Sequence, residues 1–148
     1  MKIIMCILKV YSDFDSFKPF KESVIIPVYS TFEKGDFKYG SSGVRQKDYR
    51  ISFDVSDKDW DDFNGQVQDA ISFLEKYQKE LKILFSSNRI SDAYLDFPIY
   101  SRLTDDIVNQ NDHLPRKLVS LAGNISIGIE MSIYSKDAFD RLEKPIEP

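Results

Sequence analysis

Six glycines, six prolines, one cysteine and one histidine in 148 residues leave little of the material from which familiar active sites are built. A single cysteine closes no internal disulfide and supplies no paired-thiol metal site. A single histidine excludes the His-Glu-x-x-His zinc motif, and the sparse glycines contain no dinucleotide fingerprint, no Gly-Lys-Ser/Thr phosphate loop and no nucleophile elbow. No apolar run approaches the roughly 20 residues needed to span a bilayer. Ile3 to Leu8 is short, is followed at once by Lys9 and lacks a small-residue cleavage site, so it reads as a strand and not as an export signal. The expected location is cytoplasmic. No repeat at the period of a solenoid or propeller is visible.

A net charge of -4 disfavours broad binding to a phosphate backbone. The expected partner is therefore another protein with a basic surface, or a second copy of the chain, and neither nucleic acid nor a membrane. No cofactor and no metal is implied. The 42% hydrophobic and 14% aromatic content excludes general disorder and is enough for one α+β domain over residues 1–135, with 136–148 as a partly helical or frayed tail.

The strongest pattern lies in 49–85. Ile51, Phe53 and Val55 alternate with polar residues as in a half-buried strand. From Asp57 the period changes: Trp60, Phe63, Val67, Ile71, Leu74 and Tyr77 form a helical stripe. Ser56 or Asp57 is the expected cap, with Asp57, Asp59, Asp61 and Asp62 in the first turns and Lys76, Lys79 and Lys82 near the end. Capping and dipole effects contribute about 1 kcal/mol each, against on the order of 10 kcal/mol for burying six large side chains, so the stripe decides that a helix forms. Leu81 to Phe85 then reads as a strand.

Elsewhere, Lys2 to Tyr11 is apolar on both faces, which predicts a central strand with Cys6 as an inert core thiol. Phe14, Phe17 and Phe20 suit a short helix or turn covering the sheet. Val24 to Tyr29 is an edge strand or extended connection because Pro27 lacks a ladder donor. Gly35 marks a turn, and Gly40-Ser41-Ser42-Gly43 a hairpin tip, preferred over an anion loop because no helix follows. Ser91 to Tyr100 is a strand with Pro98 at an edge or strand end. A polar loop spans Ser101 to Asp112. Leu114 to Ala122 is a short helix capped by Asp112 or His113 and stopped by Gly123, and Asn124 to Tyr134 is the last strand. Its polar side, Ser126, Gly128, Glu130 and Ser132, is expected either to lie under the Phe14 to Phe20 segment or to stay open to a partner. The sum is an antiparallel or mixed sheet with one long and one short helix packed on it, ferredoxin-like or an elaboration of that fold.

Two groups of side chains are candidate binding sites. Asp57, Asp59, Asp61 and Asp62 begin like a calcium loop, but the sixth position is Asp62 where glycine is required and the twelfth is Gln68 where a bidentate Glu should close the cage. They read as solvated charge with a secondary use in partner recognition. Arg102, Asp105, Asp106 and His113, with Asp112, would supply an acid, a base and an anion grip if the loop drew them together.

Four segments carry a family likeness: Pro27 followed by Glu33-Lys34-Gly35-Asp36, the strand YRISFDVS, the helix ending KYQKELKILF, and LPRKLVSLAGNISIGIEMSIY. In these the chain resembles the bacterial domain of unknown function 4279 family. The resemblance implies a small α+β fold, no assigned reaction, and an immunity-like or accessory role by analogy. The function expected is a non-enzymatic interaction domain, of the kind that binds and blocks a toxin. The alternative is a small-molecule or hydrolytic site near His113.

Overall fold

The computed structural model describes residues 5–38, 43–138 and 140. The expected hairpin tip at Gly40 to Ser42, the start of the first strand and the tail from Arg141 lie outside them. Eight elements follow one another: β1 (Cys6–Ser12), α1 (Lys18–Ser23), β2 (Val28–Phe32), β3 (Tyr49–Ser56), α2 (Phe63–Ser87), β4 (Asp92–Tyr100), α3 (Arg116–Asn124) and β5 (Gly128–Tyr134). The strands form one mixed sheet in the order β2-β3-β1-β4-β5. The first four pair antiparallel, and β5 joins β4 in parallel. Strand order and direction in β2-β3-β1-β4 are those of a ferredoxin-like α+β sheet, and α3 with β5 is an addition at its β4 edge.

β1 is central, as its two-faced apolar pattern requires. Cys6, Leu8 and Val10 point with Ile51 and Phe53 of β3 and with Leu95, Phe97 and Ile99 of β4 into the layer beneath α2 and α3. All eight are fully buried. Burial lifts the Cys6 thiol pKa far above its ordinary range, and the nearby Asp96 and Asp69 charges add to this, so the side chain is a core group and not a nucleophile.

The long helix departs from its expected limits at both ends. Ser56 is taken up by Asp69 (Oγ to Oδ2, 2.6 Å), and the cap is Asp62, which accepts from the Gly65 amide at 2.9 Å. Asp57, Asp59 and Asp61 therefore sit in a connector before the helix. At the other end, 81–85 is helix and not strand. Leu81 and Leu84 are fully buried in phase with Leu74 and Tyr77, whereas Ile83 is half exposed. The helix runs on to Ser87, so Lys76, Lys79 and Lys82 are interior and its last turn carries no basic residue.

Smaller differences have local causes. β2 starts at Val28, with Ile26 buried before it. Phe17 is buried and Phe20 packs edge-on to Phe53, so this segment covers the helix side of the sheet and not the polar side of β5; Phe14 is exposed. Pro98 lies within β4, beyond Asp96 where the described ladder to β1 ends, and its carbonyl accepts from Gln66 at 2.8 Å. Pro115, not Asp112 or His113, occupies the α3 cap position. The helix does not stop at Gly123: Ser126 adopts φ 58°, its amide bonds to the Gly123 carbonyl, and the Ile127 amide bonds to Ala122. That is a Schellman closure with serine in the left-handed position. β5 consequently begins at Gly128, with Ile125 and Ile127 buried in the turn before it.

Candidate functional site

β3, β4 and β5 run parallel to one another, so their C-terminal ends lie on one side of the molecule together with the starts of α2 and α3. The connector 57–62 and the loop 101–115 both emerge there. Trp60 fixes the connector. Its ring stacks on Tyr134 with centroids 4.2 Å apart and meets Tyr100 edge-on at 5.2 Å, while its carbonyl accepts from the Tyr100 amide. Gln66, fully buried, donates to the Asp59 carbonyl at 3.1 Å as well as to Pro98. With the backbone pinned at Asp59 and Trp60, the carboxylates of Asp57, Asp59, Asp61 and Asp62 are all left exposed. The Tyr100 hydroxyl registers their field: desolvation, then the negative charges of Asp61, Asp140 and Asp59, raise its pKa above the ordinary value.

The loop has internal order. Arg102 pairs with Asp112 at 2.9 Å, the Arg102 amide donates to Gln110, and Gln110 donates to the other Asp112 oxygen at 2.8 Å. Thr104 closes a tight turn by accepting from the amides of Asp106 and Ile107. Of the second candidate group, the structure brings together only Arg102 and Asp112. Asp105, Asp106 and His113 are exposed, and His113 forms no ion pair with Asp105, Asp106 or Asp112. Among the described residues no three His, Cys, Asp or Glu side chains are grouped to hold a metal ion, and no helix is long and apolar enough to cross a membrane.

Sequence reasoning passed over three residues of this loop. Leu103 and Ile107 are half exposed and Val108 is 86% exposed, all beside Asp105 and Asp106. The signal was available: three aliphatic residues inside an otherwise polar segment, with no period that would assign them to a core.

A second polar assembly lies on the sheet face away from the helices. Asp96, 5% exposed, accepts from Lys9 at 2.9 Å and from Ser132 at 2.6 Å. Beside it Tyr94 and Tyr11 stack, with hydroxyls 3.3 Å apart. Arg50 lies over the Phe32 ring at 4.2 Å. With Arg50 also 5.8 Å from the Tyr11 ring, these contacts tie β2, β3, β1, β4 and β5 together across one face.

Comparison with family models, with curated proteins and with solved structures finds no match to this chain.

Proposed function

We propose that this chain is a non-enzymatic protein-interaction domain that docks its acidic end on a basic protein surface, as an immunity protein does in covering a toxin's active site. The observation that carries this reading is the loop 101–115, which holds Leu103, Ile107 and Val108 in water on an ordered frame. Exposed aliphatic side chains on a loop longer than most connections mark a contact surface better than a core. The carboxylates of the neighbouring connector supply the charge that steers a basic partner.

The test is capture of partners from a native lysate by the wild type and by two variants. Asp57→Lys with Asp61→Lys reverses charge at positions that do not cap α2, and Ile107→Ser with Val108→Ser removes the apolar tip. A stoichiometric protein partner retained by the wild type, lost with the tip variant and weakened with reduced salt dependence by the charge reversal is the expected result. Equal capture by all three overturns the reading.

A further inference from the structure

We propose that β5 is a self-pairing edge, joining two copies of the chain about a two-fold axis at Met131 into one continuous sheet. The two edges of this sheet differ. β2 is blunted by Pro27, by its short length and by a register shift between Val28 and Ser30. Such devices keep strand edges from pairing with other chains. β5 has none of them: seven residues, no proline, an unbroken register against β4 and one charged side chain, Glu130.

Backbone orientation decides which residues can pair. The Tyr134 carbonyl accepts from the Ser101 amide at 2.8 Å, so Tyr134 turns its backbone groups toward the β4 side. By alternation those of Gly128, Glu130 and Ser132 turn the same way, and those of Ile129, Met131 and Ile133 face outward. Among the described residues nothing bonds to these outward groups.

Antiparallel pairing of β5 with its copy about Met131 sets Met131 opposite Met131 and Ile129 opposite Ile133. All three pairs are then of the hydrogen-bonded kind, and all seven residues of the strand are used. Glu130 faces Ser132 of the copy, so no like charges oppose, and Ile133, 61% exposed in the single chain, gains an apolar neighbour. Centring on Glu130 instead would set two carboxylates face to face. Centring on Ser132 would shorten the overlap. The inference is independent of the acidic-end reading, whose contact residues Asp57, Asp61, Ile107 and Val108 lie outside β5.

The test combines mass and cross-linking on the full chain. Sedimentation over a concentration series should give twice the 17.2 kDa of the single chain, and Ile133→Lys should return it to one copy with its unfolding midpoint retained. Met131→Cys should cross-link to itself under mild oxidation, because directly opposed residues of a hydrogen-bonded pair lie about 5.5 Å apart at Cα, within disulfide reach. Ile133→Cys should not, since it faces Ile129. Buried Cys6 does not compete. A single-chain mass at all concentrations, a dimer that survives Ile133→Lys, or cross-linking at Ile133 but not Met131 would each overturn the proposal. So would slow amide exchange at Met131 in dilute single chains, which would mean that the chain covers its own edge.

Discussion

Trp60 lies almost flat on Tyr134, with 18° between the ring planes, and so couples the connector before α2 to the end of the last strand. Trp60 is 2% exposed although it belongs to no helix or strand.

This pair makes Trp60→Ala costly, by about 3 to 5 kcal/mol in urea unfolding. In a double-mutant cycle Trp60 and Tyr134 should show a coupling of about 1 kcal/mol, typical of an aromatic pair beyond its area burial. Additive behaviour would remove the stack as the reason for the connector's position.

Gly65 and Asp62 should also couple. Glycine inside a helix costs about 1 kcal/mol relative to alanine, so Gly65→Ala would ordinarily stabilise. Here an added Cβ would collide with the capping carboxylate of Asp62. The substitution should be near neutral in the wild type, because displacing the cap costs about 1 kcal/mol. In an Asp62→Ala background it should stabilise by about 1 kcal/mol, and thermal melts of the four proteins measure the difference.

Ser126→Gly should stabilise the chain by about 1 kcal/mol. The serine holds φ 58° at the position after the α3 cap, where an L residue is strained and glycine is not. Gly123, inside the helix, offers the complementary change: nothing lies within 4 Å of an added Cβ, and Gly123→Ala should gain a similar amount. An unchanged urea midpoint in both variants would contradict this account of the closure.

Stability should fall above pH 10 in part through Tyr94. Burial first, then the hydrogen bond with Tyr11 and the negative charges nearby, raise its pKa above the ordinary 10.0. The unfolded chain therefore releases this proton while the folded chain retains it. The contribution is complete below pH 10 and is lost as pH rises from there through the folded value. Tyr94→Phe should flatten the alkaline decline in the urea midpoint and remove the latest step of the tyrosinate absorbance titration.

What could be read from the sequence divides along physical lines. β4 was legible because burial on one face leaves an alternation, and β1 because a short run apolar on both faces marks a central strand; Leu95 and Phe97, and Leu8 and Val10, are buried as those patterns require. The segment 81–85 was not, since a short apolar run satisfies both periods; only the half-exposed Ile83 between buried Leu81 and Leu84 separates them. The start of α2 was hidden by competition among acceptors. Four aspartates and a serine could each cap it, and the choice of Asp62 follows from Trp60 being drawn onto Tyr134, a contact between residues distant in the chain. Convergence of Arg102 on Asp112 and its failure at His113 depend on loop geometry that no period encodes.

The central place of β1 also sets a timetable. Lys9 and its partner Asp96 stand 87 residues apart, and β1 has no neighbour in the sheet before β3. At roughly 5 to 20 residues per second of synthesis, this doubly apolar strand waits on the order of ten seconds for β4 to emerge. During that interval an apolar strand has only half of its eventual cover, so the nascent protein should depend on chaperones most heavily before β4 is made.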